Sequence, residues 1–191
     1  MQAPLLLAST SKYRAERLAS LGLSFTQAAP HCDESPLPGE LPDALALRLA
    51  HNKAQSLSGE FPDHVIIGSD QTAAAPDGSL LSKPGTRERA CHQLLACSGQ
   101  AVTFYSGVAL AGPVQDAWLV TTEVRFRRLT RREVERYVAA EQPLDCAGSF
   151  KAEALGITLF DWIRSDDPNA LIGLPLISLA QRLRQSNYQL P

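Results

Sequence analysis

The chain has 191 residues, 45% of them hydrophobic and 20% charged, the balance of a globular protein able to bury a core as one domain or two small lobes. A net charge of -2 at pH 7 argues against a protein that coats nucleic acid, which needs a basic excess, yet allows a basic pocket for a small anion. Four dispersed cysteines (Cys32, Cys91, Cys97, Cys146) without CxxC pairing or zinc-like spacing, no run near the roughly 20 apolar residues of a membrane span, and an opening MQAPLLLAST without a basic n-region lead to the expectation of a cytoplasmic protein with reduced thiols and no membrane or nucleic-acid partner.

Pro4 to Ser9 (PLLLAS) is a short apolar run that reads as a buried strand, followed by a helix from Lys12 to about Leu21 with Gly22 as its stop. Ser24 to Ala29 is a second strand. Pro30 to Pro42, with four prolines and Gly39, is a loop. A helix is predicted from Asp43 to about Ser58, then a buried strand at His64 to Ser69 (HVIIGS). Pro76-Asp77-Gly78 is a turn between two short hairpin segments. Thr86 caps a helix to Cys97. Ala101 to Leu110 and Trp118 to Phe126 read as longer strands joined at Gly112-Pro113. Thr130 and Glu133 form a capping box for a helix to about Glu141. Gly156 to Ile163 is expected as a last strand, and Pro175 starts the final helix. Alternating strands and helices without a linker predict one α/β domain over residues 1–191, with a mixed central sheet and flanking helices.

Three charges sit where a bland fold would not put them. Leu45, Leu49, Lys53 and Leu57 recur every four positions, so Lys53 shares an apolar helical stripe. It either snorkels at the stripe's edge or is kept there for its charge. Arg14 lies with Leu18 and Leu21 on one face of the first helix; a first-turn arginine opposes the helix dipole unless an anion is close, or else it is solvated. Asp70 follows the apolar strand where the chain is expected to leave the sheet, which makes it a turn former or a site acid. Glu34 and Lys83 sit in loops, unremarkable singly. Together these acids and cations suit metal-assisted phosphoryl chemistry, in which carboxylates hold a divalent ion and cations neutralise phosphate oxygens. There is no Walker A loop, but Ser9-Thr10-Ser11 before a helix N-terminus offers hydroxyls and N–H groups suited to phosphate. Scattered histidines argue against a zinc enzyme, and the lack of GxSxG argues against a serine hydrolase. Trp118 and Trp162 read as core or rim.

LLLASTSKYR, CDES, RLAHNKA, IIGSDQ and LSKPG, in that order, resemble the motifs of Maf proteins, and ACSGQAVTFYSGVAL, TTEVRFRRLT, PLDCAGSFKAE and NALIGLPLI extend the resemblance over nearly the whole chain. The details DQT, AGSFKAE and FDWIRSDDPNALIGLPLI look like the branch that hydrolyses 7-methyl-GTP. The resemblance implies an elongated ITPase-like fold with a cleft between two lobes, and hydrolysis of the α–β phosphoanhydride of a nucleoside triphosphate with Mg or Mn. It implies Asp70 as the acceptor that activates water, Glu34 with Asp70 at the metal, and Ser9, Arg14, Lys53 and Lys83 on the phosphates. Tyr13, Gln71 and Glu153 match positions that select the base. Where many relatives carry Ser-Pro-Arg-Arg, this chain has Ser11-Lys12-Tyr13-Arg14, so one arginine is replaced by Tyr13. The expected partner is a small nucleotide, and a homodimer is compatible with it. Two other readings follow from the same resemblance: a dTTP/UTP pyrophosphatase, and a nucleotide-binding regulator of septum formation.

Overall fold

The fold of residues 2–191 comes from a computed structural model. It contains β1 (Leu5–Ala8), α1 (Lys12–Ala19), β2 (Phe25–Ala28), α2 (Pro42–Gln55), β3 (Val65–Ala74), α3 (Arg87–Cys97), β4 (Ala101–Ala111), β5 (Asp116–Phe126), α4 (Arg131–Glu141), β6 (Phe160–Ser165) and α5 (Leu176–Gln185). The strands form one sheet in the order β2-β1-β3-β4-β5-β6, with β1 parallel to β2 and β3 and β6 antiparallel to β5. The mixed α/β sheet expected from the alternation of strands and helices is therefore present. The chain divides into two compact units, one of residues 1–71, 106–120 and 167–191, the other of residues 72–105 and 121–166.

In the first unit the strand period of two divides the core. Leu5 and Leu7 of β1 with Val65 and Ile67 of β3 pack with Leu18 of α1 and Leu176, Leu179 and Leu183 of α5. Leu6, Ala8 and Ile66 face the other way, onto Ala50, Ala54 and Leu57 of α2 and the turn after it. A strand covered on both faces has no polar side, which is why PLLLAS and HVII read as continuous apolar runs. Ala46, Ala50 and Ala54 form a fully buried small-residue stripe on α2. A Cβ on Gly68 of β3 would meet Ala50 O at 2.1 Å, and one on Gly107 of β4 would meet Ala46 O at 2.4 Å. Glycine at these positions lets the helix backbone lie directly on the sheet.

In the second unit Phe104, Phe126, Phe150 and Phe160 pack edge to face, with ring centroids 4.8 to 5.8 Å apart. The predicted capping box forms: Thr130 Oγ1 accepts from Glu133 N, and Glu133 Oε2 accepts from Thr130 N at 2.7 Å.

Two expectations about strands are corrected. β3 does not end at Ser69 but runs on to Ala74, because small, buried Thr72, Ala73 and Ala74 continue the strand into a hairpin bridge between Ala74 and Leu80. The last strand begins at Phe160 rather than Gly156, because Leu155–Leu159 curls into a 3-10 turn. A Cβ on Gly156 would lie 2.3 Å from Lys151 O, so that segment sits on its own preceding turn.

Candidate functional site

The close approach of α2 to β3 builds the centre of the site. Lys53 continues the buried row of Leu45, Leu49 and Leu57 and is itself 5% exposed, so it does not snorkel. Gly68 and Asp70 share the strand face that meets α2, two residues apart. Lys53 Nζ donates to Asp70 Oδ1 at 2.6 Å and lies 3.0 Å from Glu34 Oε1. Asp70 is buried, whereas the Glu34 side chain is half-exposed on its loop. Asp70 is mid-strand, not at an exit from the sheet as expected; this position excludes the turn-former reading and leaves a buried acid paired with Lys53.

Arg14 joins this group electrostatically. Burial pushes its guanidinium down from its ordinary value, and the carboxylates of Asp70 and Glu34 act in the opposite direction. Its Nε donates to Gly173 O at 3.1 Å, so a backbone carbonyl holds the guanidinium, and the two carboxylates are the anions that act on it. Ser9 Oγ accepts from Ser11 N at 3.1 Å, and Ser11 Oγ caps α1 by accepting from Arg14 N at 3.4 Å. The Ser9 hydroxyl keeps its own proton to donate.

The opposite face of β3 carries Ser69 and Gln71. Ser69 Oγ donates to Gly173 O at 2.8 Å, and Gln71 Nε2 donates to Ala170 O at 2.8 Å and Leu171 O at 3.0 Å. Ser106 Oγ donates to Ala170 O at 2.6 Å. The turn at Ala170–Gly173 is thus a set of carbonyl acceptors that fixes Arg14 and Gln71. Asp167, 2% exposed, anchors this segment by accepting from Asn169 N at 2.9 Å and from Ile177 N in the first turn of α5 at 2.6 Å.

The remaining expected residues are less constrained. Tyr13 is half-buried, with Lys12 Nζ 5.2 Å from its ring centroid. Lys83 and Glu153 are exposed residues of the second unit. Sequence reading missed Ser69, Ser106 and Gly173, whose contacts reach across more than sixty residues of chain, and Asp167, whose backbone partners leave no mark on residue type. It also left Cys32 aside. Burial pushes that thiol up, and it feels the charges of Lys53, Glu34 and Asp70. Trp118 is core as expected, with Nε1 donating to Ser178 Oγ at 2.9 Å, and Trp162 is a rim residue beneath the Arg164 guanidinium.

The donor set suits a hard divalent cation. Glu34 and Asp70 present oxygens to one point, now spanned by Lys53 Nζ. Among the described residues no three His, Cys, Asp or Glu side chains gather as a self-sufficient metal cage. Mg²⁺ is commonly held by one or two carboxylates, with substrate phosphates supplying further ligands.

The family model described as Maf-like protein matches residues 4–186. The chain is 55% identical over 188 residues to a 7-methyl-GTP pyrophosphatase of Xanthomonas axonopodis pv. citri (strain 306), covering 98% of each. It is 53% identical over 191 residues to the protein of that name in Pseudomonas putida, covering 98% of this chain and 99% of that one. Among solved structures it is similar to the Staphylococcus aureus Ham1 protein, with a TM-score of 0.55 at 11% identity over 97% of this chain and 100% of that one. At that identity the likeness speaks for the fold alone.

Proposed function

Because this chain belongs to the Maf family, we propose that it hydrolyses 7-methyl-GTP at the α–β phosphoanhydride, releasing 7-methyl-GMP and pyrophosphate, in the cytoplasm. Full-length identity above half to relatives of that name supports the substrate. The observation that carries the chemistry is the buried Lys53–Asp70 pair with Glu34 on the same nitrogen. Four unpaired cysteines support a reducing compartment, and among the described residues no helix is long and apolar enough to cross a membrane.

Water attacks phosphorus, the bridging oxygen leaves with pyrophosphate, and the water proton passes to a carboxylate. Asp70 is the acceptor in this reading, since it is buried, ionisable and held in one orientation by Lys53. Glu34, with Asp70, would hold the Mg or Mn ion, which when bound screens phosphate charge and polarises a phosphoryl oxygen. Lys53, Arg14 and Lys83 offset charge on the phosphates, and Ser9 donates its hydroxyl. Tyr13, Gln71 and Glu153 would select the base. A methylated guanine carries positive charge, which favours an aromatic face and a carboxylate.

Asp70→Asn tests the assignment. The folded variant is expected to lose pyrophosphate release by at least about a hundredfold, the scale of a positioned acid–base group. Wild-type turnover by the folded variant, or undiminished hydrolysis by the wild type after exhaustive chelation, contradicts the mechanism.

A further inference from the structure

Glu34 presents a problem of positioning. Its carboxylate must reach a buried lysine, yet residues 33–39 are all exposed and lie in a proline-rich loop without helix or strand. Within this loop Glu40 is the exception, with a side chain only 8% exposed. Arg48, on the same helix as Lys53, grips it with two hydrogen bonds: Nε to Oε1 at 2.6 Å and Nη2 to Oε2 at 2.7 Å. Arg48 Nη2 also donates to Ser35 O at 3.0 Å. Asp33 Oδ1 accepts from Ser35 N at 2.8 Å, and Glu40 Oε2 accepts from Leu37 N at 3.0 Å. The residue after Glu34 is therefore held at both its N–H and its carbonyl. An isolated surface ion pair contributes little, but a bidentate arginine–carboxylate pair with further backbone ties fixes geometry. The Arg48 hydrogen bonds, with the Leu37 N–H, hold the Glu40 carboxyl down at about 2, so the clamp stays ionised through the neutral range.

We propose that Arg48 and Glu40 are positioning residues that hold the Asp33–Ser35 turn and so deliver the Glu34 carboxylate to Lys53 and to the metal. This rests on the reading of Glu34 as a metal ligand. Outer partners of metal ligands commonly change metal affinity by 10- to 100-fold when removed. α2 then sets the site twice, once through Lys53 directly and once through Arg48 by way of the loop.

The test uses the full chain and Mn²⁺ alone as probe, with free and bound ion separated by electron paramagnetic resonance, for wild type, Arg48→Lys, Glu34→Gln and the double variant. Lysine keeps the charge but not the two-pronged grip or the Ser35 contact. Each single variant is expected to bind Mn²⁺ about tenfold more weakly, and the double variant no more weakly than Glu34→Gln, because the two act through one carboxylate. In Arg48→Lys the half-saturating Mn²⁺ for turnover should rise while kcat at saturation stays within about threefold. Amide exchange at Ser35 and Leu37 should quicken. Glu40→Gln, which leaves Arg48 in place, should behave like Arg48→Lys and serves if the latter fails to fold. Wild-type Mn²⁺ affinity in Arg48→Lys beside a weakened Glu34→Gln, or losses that multiply in the double variant, would overturn the clamp alone. Wild-type affinity in Glu34→Gln would overturn the metal reading together with the clamp.

Discussion

Lys53 Nζ stands 2.6 Å from Asp70 Oδ1 at a point where the helix backbone rests on glycine. The charge pair is thus a consequence of the Gly68 contact as much as of the two charged residues. Removing one partner of such a buried pair leaves the other uncompensated. Lys53→Met is expected to cost about 3 kcal/mol of stability, and adding Asp70→Asn should restore much of it. Chemical denaturation of the two variants and Asp70→Asn checks this; a loss in the double variant equal to the sum of the two single losses would mean that the pair is not coupled.

Gly68→Ala should be costly although it adds one methyl group. The new Cβ would meet Ala50 O at 2.1 Å and Ala54 N at 2.6 Å, both backbone atoms that cannot rotate away. The expected loss is about 3 kcal/mol, at the upper end for overpacking, with a fall in activity as α2 carries Lys53 away from Asp70. Thermal denaturation and turnover of the variant measure both.

The cap of α4 predicts a pH dependence. The Thr130 N–H first, then its hydroxyl and Arg127, depress the Glu133 carboxyl from an ordinary 4.5 to about 2. A depressed carboxyl contributes stability that is present above its unfolded value and is lost as pH falls through its folded one. Glu133→Gln should therefore melt below wild type at neutral pH, and the difference should shrink from about pH 4.5 and vanish near pH 2. A difference constant across that range would contradict the cap.

Base selection is expected to depend on Tyr13 and Glu153. Tyr13→Ala removes an aromatic face, and a cation–π contact of up to about 2 kcal/mol corresponds to roughly thirtyfold in preference for a charged ring. Glu153→Gln should narrow the same preference by removing charge. Ratios of kcat/KM for 7-methyl-GTP and GTP in each variant are the measurement, and unchanged ratios in both would remove these residues from that role.

Much of the architecture was legible because its signals are local. The stripe of Leu45, Leu49 and Leu57 exposed Lys53 as an anomaly, and Thr130 with Glu133 announced a helix start that the structure reproduces. The expectation for Asp70 rested on a partly mistaken reason. The strand it was thought to terminate continues to Ala74, since Thr72 to Ala74 are small enough to stay buried in the sheet. The carbonyl turn at Ala170–Gly173 was not legible, because backbone acceptors leave no mark on residue type and their donors lie about 100 or more residues away in Ser69, Gln71 and Arg14. Arg48 was hidden too: one charge on a helix carries no sign that its partner is Glu40.

The central claim is tested most directly by one comparison of kcat/KM for pyrophosphate release by the wild-type chain, with Mg²⁺, on 7-methyl-GTP, GTP, dTTP and UTP. The expected result is a preference for 7-methyl-GTP of at least about tenfold over each of the others, a ratio within reach of differential contacts to the base. A preference for dTTP or UTP, or equal rates on 7-methyl-GTP and GTP, would contradict it.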